Sequence, residues 1–260
     1  MLHLPAVNLL DEIYIEQEGI PLAFDLFMPE GEGPFPLVIT AHGGGWISGD
    51  KTMYHQEAEF MVQQGIACAC VEYRLAPLHP FPACVTDLQD FVLFARSKAS
   101  EWNVDPSKFF AFGNSAGGHL ALMMGLPVPY FGSGTPNGDF KVDGVIAICP
   151  ITDITEARSK HYPIAHSFLE QFLGDLSDED RLRAASPITY ATSDTDTEFC
   201  ILHGDHDDIV PIQQSRDLIA KFDAMGIKNT FTVLTGEYHS FSYSAWMDVR
   251  DQLIRFVRSK

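Results

Sequence analysis

Short apolar segments alternate with amphipathic segments along most of the chain. Two extended segments, 12–16 and 22–27, alternate apolar and polar residues on either side of a turn at Glu18-Gly19, which predicts an antiparallel hairpin. Continuous apolar runs predict buried strands, and apolar residues spaced three or four apart predict helices. The predicted strands are 37–40, 66–72, 108–112, 142–149, 199–203 and 230–234, and the predicted helices are about 52–64, 83–100, 116–124, 211–225 and 243–257.

The order of these elements indicates an α/β fold. From residue 37 onward strands and helices alternate, which is typical of a parallel sheet with right-handed crossovers. We therefore expect a mostly parallel, eight-stranded sheet with helices on both faces and an antiparallel hairpin at its amino-terminal side. Segment 127–141 is rich in glycine and proline and predicts a surface loop. Segment 152–190 is less regular, so we expect a single domain over 1–260 with a small insertion or lid at about 152–190.

One stretch joins a predicted strand directly to a predicted helix. Residues 113–117 read Gly-Asn-Ser-Ala-Gly, with Ser115 between two glycines. A turn that lifts a serine above a sheet brings the flanking backbones close together, and residues with little or no side chain leave the necessary room. The pattern predicts a nucleophile elbow at Ser115. An ordinary tight connection explains the same five residues, so the rest of the chain must decide.

A serine nucleophile needs a general base and an orienting carboxylate. His239 lies in the loop after the last predicted strand and is the candidate base, although a loop histidine can equally be a solvated surface group. The carboxylate is expected in the loop after strand 199–203, where Asp205, Asp207 and Asp208 compete. Asp205 can bond local backbone groups and Asp208 can help to cap the next helix, so the residues alone leave the choice open.

The same loop also suggests a metal site. His203, Asp205, His206 and Asp207 are suitable ligand types within five residues. The helical His-x-x-x-His arrangement is missing from this sequence, and no second ligand cluster stands elsewhere in it. We therefore expect no metal and no cofactor.

Donors for an oxyanion are expected from two loops. Ala116 follows the candidate nucleophile and offers its backbone N–H at a helix N-terminus, where the helix dipole favours negative charge. The segment His42-Gly43-Gly44-Gly45-Trp46 follows the first parallel strand. Because glycine lets the backbone approach a reacting carbonyl closely, Gly44 and Gly45 are the preferred donors, with Gly43 as an alternative.

The composition limits the classes of binding partner and the cellular compartment that we expect. A formal net charge of −18 argues against binding nucleic acid or an anionic membrane through a general electrostatic footprint. The five scattered cysteines are expected to be buried, reduced thiols. The first five residues lack the basic start and apolar block of a signal peptide, and no apolar run is long enough to span a bilayer. We expect a cytoplasmic protein that acts on a small molecule, with a homodimer among the expected states.

These pieces together resemble the α/β-hydrolase superfamily, in particular the hormone-sensitive-lipase-like esterases and lipases. The resemblance covers most of the chain, in family order. It implies Ser115, Asp207 and His239 as the catalytic triad. The matching segments are His42-Gly43-Gly44-Gly45-Trp46, 73–77, 79–83, 113–118, Gly204-x-x-Asp207-x-x-Val210-Pro211 and Gly236-x-x-His239-x-Phe241.

Two departures leave the substrate open. Asn114 stands where many relatives carry Asp, and the amino-terminal part lacks the long helical cap of larger members. The chain is therefore also similar to feruloyl and acetyl-xylan esterases, kynurenine formamidase-like enzymes and prolyl-oligopeptidase relatives. The resemblance implies a serine carboxylesterase for short- to medium-chain acyl esters, with an amidase, formamidase or peptidase as the alternative and a non-catalytic binding module as a third interpretation. Trp46, Tyr130 and Phe131 are expected to shape the substrate pocket, although simple packing explains them equally well.

Overall fold

The computed structural model describes residues 8–260, with the backbone alone at residues 157 and 158. The first five residues, which led us to expect no signal peptide, lie outside this range. Eight strands form one sheet in the order β1-β2-β4-β3-β5-β6-β7-β8. The strands are β1 (Leu9–Gln17), β2 (Ile20–Phe27), β3 (Phe35–Ala41), β4 (Ala67–Val71), β5 (Val104–Asn114), β6 (Gly144–Ile148), β7 (Glu198–Gly204) and β8 (Asn229–Leu234).

The pairing of the strands confirms the expected sheet. Strands β1 and β2 pair antiparallel as a hairpin, and β2 joins β4 antiparallel. From β4 to β8 every neighbouring pair is parallel. The carboxyl ends of β3, β5, β7 and β8 therefore lie at the same edge of the sheet, and the candidate catalytic loops all follow these ends.

Helices cover both faces of the sheet, as expected. Helices α1 and α8 pack on one face, and α2, α3 and α7 pack on the other. A short 3-10 helix, Lys51–Tyr54, precedes α1, and another, Pro187–Tyr190, precedes β7. The helices are α1 (His55–Val62), α2 (Ala83–Trp102), α3 (Ala116–Gly125), α4 (Ala157–Lys160), α5 (Pro163–Leu173), α6 (Glu179–Ala184), α7 (Gln213–Met225) and α8 (Tyr243–Arg258).

Strict alternation in the central strands explains why two cores form. In β5, Phe109 and Ala111 belong to the core beneath α2 and α3, whereas Phe110 and Phe112 belong to the core beneath α1 and α8. Successive side chains of a strand point to opposite faces, so a strand buried on both sides reads as a continuous apolar run. All five cysteines are buried and free, which confirms that prediction.

The region from 152 to 190, called the insertion below, contains helices near 161–173 and 178–185, where its sequence predicts helical fragments. It contains α4, α5, α6 and the 3-10 helix Pro187–Tyr190. Helix α5 begins with Pro163 in its first turn, a position where proline costs the helix no hydrogen bond. Its buried side is formed by Ala165, Leu169, Phe172 and Leu173. None of the helices within residues 8–260 is both long enough and apolar enough to cross a membrane.

Candidate active site

Ser115 lies at a sharp turn between β5 and α3. Its backbone has φ +56° and ψ −124°, a conformation that a residue with a side chain rarely adopts. A hydrogen bond of 2.8 Å from its N–H to the carbonyl of Ile148 holds the turn. A Cβ at Gly117 would lie 2.0 Å from the carbonyl oxygen of Ala41, and one at Gly113 would lie 2.4 Å from the carbonyl oxygen of Gly117. The two glycines are therefore required by crowding, as the sequence pattern indicated.

Tyr54 fixes the same turn from the side. Its hydroxyl donates to Asn114 Oδ1 at 2.7 Å and accepts from the backbone N–H of Asn114 at 3.0 Å. The side-chain carbonyl oxygen and the backbone N–H of Asn114 thus both bind the same hydroxyl group. Burial raises the pKa of the Tyr54 hydroxyl, so the group stays protonated and keeps its role as a donor.

His239 and Asp207 meet across the loops that follow β8 and β7. His239 Nδ1 lies 2.8 Å from Asp207 Oδ2, and the carboxylate side chain has no solvent exposure. The close approach of the two loops depends on Gly204, because a Cβ there would lie 2.2 Å from the carbonyl oxygen of Glu237. With its Nδ1 bound to the carboxylate, the imidazole keeps Nε2 available for a proton.

The three carboxylates left open by the sequence have different surroundings. Asp205 Oδ1 accepts from the backbone N–H of Gly236 at 2.6 Å, and Asp208 is exposed. Asp207 Oδ1 accepts from the backbone N–H groups of Ile209 and Val210 at 2.9 and 2.8 Å. Of the three, Asp207 is the one that the structure places on His239.

Charge at Asp207 is strongly stabilised. Burial by itself would raise the pKa of this carboxyl. The imidazoles of His203 and His239 and the backbone N–H of Val210 outweigh burial and hold the pKa of Asp207 well below its usual range. The side chain is therefore an anion throughout the neutral range, as an orienting partner for an imidazolium must be.

The glycine loop after β3 is held by hydrogen bonds on both sides. The carbonyl of Gly44 accepts from the N–H groups of Ile47 and Ser48, both at 3.2 Å, which closes a turn. His42 Nδ1 lies 2.8 Å from the carbonyl oxygen of Gly43, and the His42 ring stacks on Tyr73 at 4.2 Å. Burial lowers the pKa of His42, so its imidazole supports the loop in the neutral form. Gly44 and Gly45 have φ +109° and +62°, which glycine adopts without strain.

One cavity of about 360 Å³, called the serine pocket, brings most of these groups together. Ser115, His239, Gly44 and Gly45 line it, and Ala116 follows Ser115 as the fully buried first residue of α3. The remaining wall is largely apolar and is supplied mainly by the insertion and by the loop that carries Asp207. Its apolar lining includes Met53, Ile151, Ile164, Ala165, Phe168, Leu169, Ile209 and Val210.

The three expected substrate residues have different positions. Trp46 borders the serine pocket, but its ring is buried, stacks on Phe172 at 4.2 Å and donates from Nε1 to His119 Nδ1 at 3.2 Å. Trp46 therefore ties the glycine loop to the insertion.

Tyr130 and Phe131 line a separate cavity beside the hairpin and are not among the residues that line the serine pocket, so their role at the substrate stays a prediction. The hydroxyl of Tyr130 donates to Asp90 at 2.5 Å, and Phe131 packs edge-on against Phe81. These contacts hold the loop 127–141 away from Ser115.

The suggested metal ligands do not come together as the sequence grouped them. Within residues 8–260, the one set of three ligand-type side chains with converging atoms is Cys149, His203 and Asp207. His203 Nδ1 is engaged with Ser215 Oγ at 2.7 Å, and its Nε2 with the carbonyl of Val210 at 3.0 Å. Burial raises the pKa of the Cys149 thiol and keeps it protonated. The donor atoms of this set thus serve hydrogen bonds within the protein.

Comparison with known proteins decides the family. The family model described as BD-FAE matches residues 24–222, about three quarters of the chain. The chain belongs to the BD-FAE family. Esterase LipC of Mycobacterium tuberculosis is 27% identical over 216 residues, covering 80% of this chain and 53% of LipC. Esterase LipQ of the same organism is 29% identical over 226 residues, covering 84% of this chain and 53% of LipQ. This BD-FAE chain spans about half the length of these curated relatives.

Solved structures support the fold of this BD-FAE member. The propionate-bound esterase Est2 of Thermogutta terrifontis superposes with a TM-score of 0.82 at 22% identity and covers 95% of this chain and 93% of that one. At this identity the likeness establishes the fold and nothing further. The α/β-hydrolase fold expected from the motifs is confirmed.

Several contributors to the BD-FAE site carry no recognisable sequence signal. Tyr54 lies 60 residues before the elbow that it holds. Phe168, by contrast, lies in the insertion that the sequence predicts as a lid, and it lines the serine pocket. The sequence suggested a role for His203 only as a metal ligand. The segment 204–211 predicts the loop that carries Asp207, but its sequence does not show which atoms surround the carboxylate.

Proposed function

We propose that this chain is a serine carboxylesterase that hydrolyses uncharged esters with short to medium acyl groups. The observation that carries the proposal is the shared cavity of Ser115 and His239, with His239 Nδ1 at 2.8 Å from the buried Asp207. A serine at a strained elbow, an imidazole and a stabilised carboxylate are the parts that acyl transfer through a covalent intermediate requires.

In the proposed mechanism, Ser115 Oγ attacks the ester carbonyl while His239 Nε2 takes its proton. Asp207 holds the imidazole and stabilises its charged form. The oxyanion accepts hydrogen bonds from the backbone N–H groups of Gly44, Gly45 and Ala116, the last of which lies in the first turn of α3, where N–H groups lack partners within the helix. The protonated His239 then donates to the leaving alcohol, and water releases the acyl group by the reverse sequence.

The lining of the serine pocket favours uncharged esters over the amide alternatives. Among the described residues that line it, none is Asp, Glu, Lys or Arg. A zwitterionic amino-acid amide or a peptide terminus would enter this cavity without a counter-charge, and burying an unpaired charge is strongly unfavourable. The formamidase and peptidase alternatives therefore rank below the esterase.

The names of the relatives agree with this proposal. LipC and LipQ are named esterases, and the Thermogutta terrifontis esterase was solved with propionate bound. Propionate is a short carboxylate, the size of acyl product that we propose for this chain.

The test is a substrate panel measured on the wild type and on Ser115→Ala. It contains p-nitrophenyl acetate, butyrate, octanoate and palmitate, N-formylkynurenine and a dipeptide p-nitroanilide. We expect the highest kcat/KM for acetate or butyrate, and a loss of several orders of magnitude in Ser115→Ala. Comparable turnover of the amides would favour the amidase alternative. Near wild-type ester turnover in Ser115→Ala would refute the triad.

The proposal includes a cytoplasmic location and a small-molecule ester as partner. Cys68, Cys70, Cys84, Cys149 and Cys200 are free thiols, which suits a reducing compartment. Cell fractionation tests the location, and a secreted protein would contradict it. The homodimer expected from the sequence stays a prediction, which sedimentation analysis would test.

A further inference from the structure

His203 lies at the carboxyl end of β7 and is completely buried. Its ring has three polar neighbours. Nδ1 lies 2.7 Å from Ser215 Oγ on α7, and Nε2 lies 3.0 Å from the carbonyl oxygen of Val210 and 3.2 Å from Asp207 Oδ2. The proposed triad does not use this residue, although its Nε2 lies 3.2 Å from the triad carboxylate.

The partners fix the proton on the ring of His203. A backbone carbonyl can only accept, so Nε2 carries the hydrogen and donates to Val210. In the neutral ring Nδ1 is then an acceptor, and the hydroxyl of Ser215 donates to it. The neutral imidazole consequently presents the positive end of its Nε2–H bond to Val210 and to the adjacent Asp207 Oδ2.

This arrangement acts on Asp207 in two ways. The Val210 carbonyl is bound to His203 while the Val210 N–H is bound to Asp207 Oδ1, so the backbone of one residue links the imidazole to the carboxylate. Oδ2 lies between two imidazoles, with His239 Nδ1 at 2.8 Å and His203 Nε2 at 3.2 Å. His203 is therefore placed to orient the carboxylate and to offset part of its charge.

We propose that His203, fixed by Ser215, is a positioning residue that orients Asp207 and limits how strongly Asp207 favours protonation of His239. The inference rests on the proposed function, because it gives His239 the role of base. Its consequence is that the base is ready at lower pH than an Asp–His pair without this neighbour would allow. Burial alone would raise the pKa of Asp207, but the hydrogen bonds from His203 and His239 outweigh burial and lower it, in agreement with this role.

Two further buried titratable groups face the pair and stay uncharged near neutral pH. Cys149, after β6, approaches Asp207, and burial raises the pKa of its thiol. His161, from the insertion, lines the serine pocket with His239, and burial lowers the pKa of its imidazole. Neither group supplies a charge that would obscure the effect of His203.

The experiment measures kcat/KM for p-nitrophenyl butyrate from about pH 5 to 9 in His203→Leu, His203→Gln and Ser215→Ala. Loss of the donor in His203→Leu leaves Asp207 less shielded and the imidazolium of His239 more favoured. In this variant we expect the midpoint of the acidic limb of the kcat/KM profile to rise by roughly half a pH unit or more, and kcat to fall. Ser215→Ala should raise the same midpoint by a smaller amount. His203→Gln, whose amide N–H can replace Nε2–H, should restore most of the wild-type profile.

Ser186→Ala provides a matched control. Ser186 is a completely buried serine whose hydroxyl binds backbone groups of Ile154 and Leu182 and not a triad residue. This variant should lose stability without moving the midpoint. Rates are normalised to sites labelled by a fluorophosphonate, so unfolded protein is not counted. If His203→Leu fails to fold, Ser215→Ala decides.

Unchanged midpoints in folded, labelled His203→Leu or, failing that variant, Ser215→Ala would overturn the proposal. An equal shift in Ser186→Ala would overturn it as well, because the shift would then reflect general loosening. Failure of the proposed function looks different: the folded wild type would take no label at Ser115.

Discussion

Replacing Gly44 with alanine should disable the loop proposed to bind the oxyanion while leaving the nucleophile in place. Gly44 has φ +109°, and a Cβ there would lie 2.2 Å from the carbonyl oxygen of Ser48 and 2.8 Å from the carbonyl carbon. Both atoms belong to the backbone, so no side-chain rotation relieves the overlap. The turn closed by the Gly44 carbonyl has to open or move.

The expected cost has two parts. A side chain at this φ strains the backbone by about 1–3 kcal/mol, which appears in the free energy of unfolding. A displaced turn removes the N–H groups of Gly44 and Gly45 from the oxyanion, and loss of one such donor costs about 2.7–4 kcal/mol of transition-state stabilisation. We therefore expect kcat to fall by about 10²–10³-fold while KM changes much less.

The assay is steady-state hydrolysis of p-nitrophenyl butyrate, normalised to fluorophosphonate-labelled sites, with thermal unfolding measured in parallel. Gly65→Ala is the matched control. Gly65 also has a positive φ, +77°, but a Cβ there meets no described atom within 4 Å, and the residue follows α1 away from the serine pocket. This control should lose about 1–2 kcal/mol of stability and keep its kcat. The reasoning is refuted if folded Gly44→Ala keeps kcat within about twofold of the control.

Three further variants test the surroundings of the site. Phe168→Ala enlarges the serine pocket and should raise kcat/KM for octanoate relative to butyrate several-fold; an unchanged chain-length preference would count against a specificity role. Tyr54→Phe leaves Asn114 without both hydrogen bonds and should lower the free energy of unfolding by about 1–3 kcal/mol, measured by urea unfolding. Asp25→Asn removes the buried partner of Lys51. Burial alone would raise the pKa of Asp25, but hydrogen bonds from the Asp11 N–H, Lys51 and His55 lower it. The charged carboxylate therefore contributes about 1.5–3 kcal/mol to the free energy of unfolding above about pH 4. This contribution is lost as the pH falls through the pKa of Asp25 in the folded protein. A stability difference from the wild type that grows toward acid pH would contradict this sign.

The sequence predicted the sheet well because its signal is local. Continuous apolar runs mark the parallel strands, and β5 exceeds its predicted length at both ends, by residues 104–107 and 113–114. The elbow and the loop after β7 were likewise visible, since crowding demands glycine at 113, 117 and 204.

What the sequence did not predict depends on contacts between distant segments. Tyr130 and Phe131 were expected to shape the substrate pocket, with simple packing as the alternative, and their contacts with Asp90 and Phe81 hold them beside the hairpin. The insertion supplies Phe168 to the serine pocket; the helical spacing of residues 161–169 is visible in the sequence, but the packing of this helix over Ser115 is not. Such positions follow from packing, which a single sequence does not display.

The central claim is that Ser115 is the nucleophile, and covalent labelling tests it most directly. Folded protein is treated with a fluorophosphonate, its intact mass is measured, and the modified residue is located by peptide mapping. The account predicts one adduct per chain, on Ser115, and its disappearance in Ser115→Ala. A protein that hydrolyses p-nitrophenyl butyrate but carries its adduct on another residue, or none at all, would contradict the account.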